Sequence, residues 1–240
     1  LGLAAAVLAL YAVYGYSPLS VLTSISQPRP FTPLERLFTE ARIIFIYMGL
    51  LLYPHPSRLN LNHDIAVSHG LLDPSSTLLS FLGVFGLLFL VVLAITRGYR
   101  WLAFFIGWFL ASIAVEALVA DLELMFEHRV YLASMFFFIP FLLLFEKKLK
   151  VVVPVAGTLI IVFGLWTYQR NALWTQPIAF WKDSAQKSPR HYRSHFNLGT
   201  SYLNAEIYDR AITAFKKSLT LSPPYPEEIY VNMGSAYIET

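Results

Sequence analysis

The chain has 240 residues, 56% of them hydrophobic and 16% aromatic, with only 14% charged and a mean hydropathy of +0.55. A soluble domain carries roughly 25% charged residues, so this composition excludes an ordinary cytosolic globule, and its apolarity excludes a disordered chain. A net charge of +3 is too small to point to nucleic acid, which is not expected as a partner, and the absence of cysteine excludes disulfides and thiolate metal sites.

Leu1–Tyr14 lacks a basic leader and reads as the tail of a membrane helix, in a chain expected to be a fragment. A loop marked by Pro18, Pro28 and Pro30 follows. Thr32 as N-cap, Pro33 at the first helical position and Glu35 three residues after the cap predict a helix over 33–53. Glu35, Arg36, Glu40 and Arg42 make its first half polar, and the apolar run from Ile43 to Tyr53, about 11 residues, is too short to cross a bilayer of ~30 Å. That helix either spans with a wet first half or dips into the interface. Pro54 and Pro56 end it.

The loop 54–75 is the most polar of this half, with His55, His63, His69, Arg58, Asp64 and Asp73. Charge-free stretches at 76–96, 101–115, 130–145 and 151–169 then predict helices over 76–96, 101–119, 130–145 and 151–169. The fold class is therefore all-α: a polytopic transmembrane bundle of about six hydrophobic helices, ending in a more polar appendage. The loops Arg97-Gly98-Tyr99-Arg100 and Glu146-Lys147-Lys148-Leu149-Lys150 hold the basic residues, which places them in the cytoplasm. Loops 54–75 and 120–129, and everything after 169, then share the opposite side.

The appendage repeats. Asn197-Leu198-Gly199-x-x-Tyr202 is echoed by Asn232-Met233-Gly234-x-x-Tyr237, and Ala211, Phe215, Ser218 and Pro223 stand at the offsets of a 34-residue helix–turn–helix unit. Run backwards, the register finds Trp181, Ser184 and Pro189. This resembles the TPR family: a degenerate half repeat at 176–188, a repeat at 192–225 and the start of another at 226–240. Leu198, Gly199, Tyr202, Ala211, Phe215 and Pro223 are expected to pack its seams. A solenoid of this kind presents a groove for a protein partner, although the pattern names none.

Ionisable residues beside membrane helices are costly and tend to face a cavity. Glu116 lies near the far end of its helix. Glu127-His128-Arg129-x-Tyr131 opens the helix 130–145, where Arg129 suits either an anionic phosphate or a plain interfacial anchor. His63-Asp64 joins an imidazole to a carboxylate, which suits acid–base work or a divalent metal as well as an ordinary loop. The loop histidines lack the spacing of a zinc helix, so no structural metal site is expected.

The motifs Leu52-Tyr53-Pro54, Leu59-Asn60-Leu61-Asn62-His63-Asp64, Trp108-Phe109, Glu127-His128-Arg129-Val130-Tyr131-Leu132 and Ser134, together with the repeats, resemble a family. They are similar to bacterial relatives of the TMTC-like transmembrane-and-TPR-containing O-mannosyltransferases. Ala133 stands where those relatives tend to have proline, and Val115-Glu116-Ala117 where Pro-Glu-Ser is expected. The resemblance implies a GT-C-like membrane glycosyltransferase that takes a sugar from a polyprenyl-phosphate donor and serves an acceptor outside the cytoplasm. It divides the chain into the C-terminal half of a polytopic membrane domain (1–169) and a TPR region (170–240). It also places the catalytic acid upstream of this fragment, which alone is expected to be inactive.

Arg129 and Arg58 become candidates for the lipid phosphate, with Glu127, His128, Tyr131, His63, Asp64 and Glu116 as cavity-lining candidates. No cofactor is assigned beyond the open question of a divalent metal. Membrane lipid and a protein bound by the repeats are the expected partners. The expected location is a bacterial inner membrane with periplasmic repeats, or an ER membrane with lumenal ones. Two readings compete with the enzyme: a non-catalytic, membrane-anchored TPR scaffold for envelope or pilus assembly, and an O-antigen-ligase or polymerase type enzyme.

Overall fold

A computed structural model describes residues 31–119 and 123–240, with the side chains of 116–119 outside the description. The expectations over 1–30 and for the side chain of Glu116 lie outside the described residues. Within them the chain is all-helical, without a strand. In order come α1 (Pro33–Leu52), α2 (Ser76–Thr96), α3 (Arg100–Val119), α4 (Val130–Ser134), α5 (Ile139–Leu144), α6 (Leu149–Trp174), α7 (Pro177–Lys187), α8 (Tyr192–Asn204), α9 (Tyr208–Leu219) and α10 (Pro226–Ile238). Short 3₁₀ turns stand at Glu127–Arg129 and Glu146–Lys148.

Packing divides the described residues into two units. One takes those up to Phe45, Val67–Leu124 and Arg129–Pro140; the other takes Ile46–Ala66, Met125–His128 and Phe141–Thr240. The units interleave along the sequence.

In the first unit α1 opens on the expected capping box. The Thr32 N–H donates to Glu35 Oε2 at 2.7 Å, and the Glu35 N–H donates back to Thr32 Oγ1 at 3.3 Å. α2 reverses into α3 through Gly98, whose φ of 82° is a conformation glycine adopts without penalty, and the two helices pack together. Phe104, Phe105 and Trp108 of α3 pack around Phe136, and Trp108 Nε1 donates to the Leu132 carbonyl at 3.0 Å.

Those ring contacts help explain a correction. The single helix expected over 130–145 is two short ones, α4 and α5, parted by a tight turn over 135–138. Pro140 has no N–H to give the Phe136 carbonyl and its ring crowds it, so the backbone tightens instead. The N–H groups of Phe137 and Ile139 accordingly bond three residues back, to Ser134 and Phe136.

Among the described residues, two helices are long and apolar enough to cross a membrane: Ser76–Thr96, and the stretch Glu146–Trp174 that contains α6. Their apolar side chains face outward, Leu79, Phe85, Phe89, Ile160 and Ile161 each being more than 60% exposed. Such surface suits lipid and not water. α3 is apolar over a shorter length, Arg100–Val115, and α1 carries four charged residues in its first half.

The second unit carries its core in α7–α10, each packed on the next. α7 lies within one residue of the expected 176–188 at each end, α8 and α10 begin at the expected 192 and 226, and Tyr202, Ala211 and Phe215 are buried together with Ile212, Ala214, Ile229 and Ala236. Gly199 of α8 lies against Phe215 of α9: a Cβ there would stand 2.6 Å from the ring. Leu198 packs against this core from its edge, and Pro223 is half-buried in the connection before α10. Ser218 Oγ donates to the Tyr192 carbonyl at 2.9 Å, tying α9 to the start of α8.

Candidate functional site

The loop 54–66 does not lie free. Leu59-Asn60-Leu61-Asn62 alternates apolar and polar, which in an extended segment puts both asparagines on one side. That side is buried against α7 and α8, with Asn60 and Asn62 only 2% and 3% exposed. Asn60 Nδ2 donates to Ser188 Oγ at 2.8 Å and to the Asn62 carbonyl at 2.7 Å. Asn62 Nδ2 donates to Ser194 Oγ at 3.4 Å, and Ser188 Oγ donates to the Asn62 carbonyl at 2.5 Å. Buried polar groups of this kind persist only when bonded, so the loop and the first helices of the repeat fold as one piece.

Charge reinforces the seam. Lys187 Nζ, at the end of α7, donates to the Pro56 and Leu59 carbonyls at 2.7 and 3.0 Å and pairs with Asp183 at 2.6 Å. Asp183 also pairs with Arg170, near the end of α6, at 2.9 Å; Arg170 is buried over the Phe180 ring. Nearer α1, His55 stacks on Tyr53, and both meet the Trp166 ring of α6 edge-on.

The sequence candidates divide at this point. His63 Nε2 donates to Glu127 Oε1 at 2.9 Å, although 64 residues separate them. The same oxygen takes the Asn60 N–H at 2.6 Å. Asp64, the expected partner of His63, faces elsewhere: its Oδ2 accepts from Arg190 Nε at 3.0 Å. That carboxylate holds the Arg190 guanidinium above its usual pKa. The carboxylate–imidazole pair of this region is therefore His63–Glu127, and adjacency in sequence misassigned it. Opposing turn directions of neighbouring residues in an extended loop explain the difference.

The remaining candidates are placed as follows. Arg58 caps α1, donating to the Gly49 and Tyr53 carbonyls at 2.9 and 3.1 Å, so its charge answers the helix C-terminus. His128 is exposed and stacks on Phe126. Arg129, half-buried, donates from Nη1 to the Glu123 carbonyl within the first unit. Tyr131 is 80% exposed. Among the described residues no three or more His, Cys, Asp or Glu side chains gather as a metal site.

Sequence reasoning quoted Asn60 and Asn62 only as part of a motif and passed over Lys187, Ser188 and Ser194. The alternation over 59–62 was the available signal for the asparagines; the serines look like ordinary small repeat residues. Chemically, the site offers an imidazole whose orientation is set by a carboxylate, itself held by a backbone N–H. Such an arrangement fixes the ring's tautomer and lets it hold or pass a proton.

No protein-family model, no curated protein and no solved structure matches the chain.

Proposed function

We propose that the chain is part of a membrane-embedded, GT-C-like glycosyltransferase of the TMTC-like kind, using a polyprenyl-phosphate sugar, whose helices α7–α10 are TPRs that hold the acceptor or a partner protein. The observation that carries this reading is the His63–Glu127 hydrogen bond. Two motifs quoted for the family resemblance, distant in sequence, meet there, in the same unit as the repeats. A scaffold that merely tethers repeats to a membrane has no need of that meeting.

In this reading the helices before the repeat form a bundle of about six, with the repeats on the extracytoplasmic side. Arg129, two residues after Glu127, serves the donor's phosphate, which gains negative charge as the sugar leaves. A fixed guanidinium stabilises that charge in the transition state, where removing one such contact costs about 10²–10³ in turnover.

The test is sugar transfer from a polyprenyl-phosphate donor by the full-length protein in membranes. Arg129→Ala should lower kcat about a hundredfold or more, while Arg97→Ala, at an exposed turn, should leave it unchanged. Wild-type turnover in a folded Arg129→Ala protein would remove the phosphate role. A full-length protein that transfers no sugar from any such donor would leave the TPR scaffold standing instead.

A further inference from the structure

Lys187 has an unusual position for the last residue of a helix. A lysine there commonly extends into water near the free carbonyls, yet only 18% of this side chain is exposed. An ammonium has three N–H donors, and all three are used: Pro56 carbonyl, Leu59 carbonyl and Asp183. Two of the three bind backbone of a loop roughly 130 residues away in sequence.

The Leu59 carbonyl and the Asn60 N–H belong to one peptide group. Lys187 holds its oxygen at 3.0 Å, and Glu127 holds its N–H at 2.6 Å. A cation on the oxygen and an anion on the N–H polarise the group in the same sense, so each bond strengthens the other. The peptide is also planar and rigid, so fixing both ends fixes its orientation. His63, three residues further on, reaches the very oxygen of Glu127 that holds this N–H. Ser188, next to Lys187, holds the chain between them at Asn60 and Asn62.

The structure assigns Lys187 a positioning role: it sets the loop 56–63 so that His63 meets Glu127, which makes the first helix of the repeat array a component of the site it adjoins. This rests on the functional reading above, since it names a residue that serves the same site. The repeats are then required for turnover as well as for holding a partner.

These 240 residues contain no cysteine, so the full-length protein with any cysteine outside them replaced allows a clean test. A single cysteine at Leu61, a half-buried loop position, reports the loop by its rate of maleimide labelling; one at Ser235, exposed on α10, reports the array. Lys187→Met should raise labelling at position 61 several-fold and leave position 235 unchanged, with Lys187→Arg returning the loop towards the parent rate. Asp183 keeps Arg170 as its partner throughout, so no carboxylate is stranded.

In transfer assays Lys187→Met should lower kcat about tenfold or more while KM for the lipid-linked donor moves less than twofold, because misplacing a group costs rate more than binding. Lys187→Arg should recover part of the loss. Unchanged labelling at position 61 overturns the assignment. So does raised labelling with parental kcat. If Lys187→Met does not fold, Ser188→Ala, which frees one neighbouring grip, is read in its place with a smaller expected effect and the same overturning result. If the parent itself transfers no sugar, the functional reading fails alone, and the labelling still decides whether Lys187 holds the loop.

Discussion

Gly199 and Gly234 occupy the same place in two copies of one motif, yet their surroundings are opposite. A Cβ at Gly199 would meet the Phe215 ring at 2.6 Å, whereas one at Gly234 meets nothing within 4 Å. Gly199→Ala should therefore overpack the α8–α9 seam and cost about 1–3 kcal/mol. Gly234→Ala in the same helical setting should gain about 0.5–1 kcal/mol from the stiffer unfolded chain. Thermal melts of the two full-length variants check both signs, and equal shifts would discredit the packing argument. A second residue-scale pair gives a pH dependence. Glu35 is held down to about 2 from its usual 4.5, chiefly by the Thr32 N–H and then by His69, and His69 is raised from its usual 6.5, chiefly by Glu35, with Asp73 adding to it. The two side chains lie 2.5 Å apart. For the depressed acid, the contribution is whole above about 4.5 and lost as the pH falls towards 2. For the raised base it is whole below about 6.5 and lost as the pH climbs past the folded value. Both are present together between these limits. The stability difference between the protein and His69→Gln should peak near pH 5–6 and shrink above neutrality, with chemical denaturation at several pH values as the measurement.

At the scale of elements, α8 ends in a helix-stop hydrogen-bond pair: the Ile207 N–H reaches the Tyr202 carbonyl and the Glu206 N–H the Leu203 carbonyl, both at 2.9 Å. The residue that must turn left-handed there is Glu206, at φ 60°, a conformation that costs a side-chain-bearing residue about 1 kcal/mol. Glu206→Gly should raise the stability of the repeat by roughly 0.5–1 kcal/mol, read as a higher melting temperature, and a lower one would contradict the cap. A glutamate there gives no sign of the stop in the sequence, whereas α7 to α10 themselves were readable beforehand. Their signals are local: proline before a helix, and a small or aromatic residue at a fixed repeat offset. The capping box of α1 was readable for the same reason, since Thr32 and Glu35 are three residues apart. The broken stretch over 130–145 was not, because its apolar composition hides the one residue, Pro140, whose missing N–H decides the backbone. The His63–Glu127 pair was hidden more deeply. Nothing local distinguishes Asp64 from Glu127 as the partner of His63; only the folding of the loop onto α7 and α8 chooses between them.

For the molecule as a whole, the loop 54–66 bonds to Lys187, Ser188, Arg190 and Ser194, an arrangement that the proposed topology, with this loop and the repeats on one side, requires. With Glu146–Trp174 long enough to cross, a reporter fused at Lys148 should read cytoplasmic and one at Asn204 should read the opposite side. The same side for both would overturn the crossing. A further consequence follows from the ion pair between Arg170 and Asp183 together with the grip of Lys187 on the loop. The end of α6, the loop and the base of the repeats are braced against one another, which leaves no swivel at the point where the array departs. An array mounted in that way acts as a gauge. Successive packed helices stand about 8–10 Å apart, so a protein bound along the array, as the proposed function has it, would be held at a stand-off from the end of α6 set by which helices it touches.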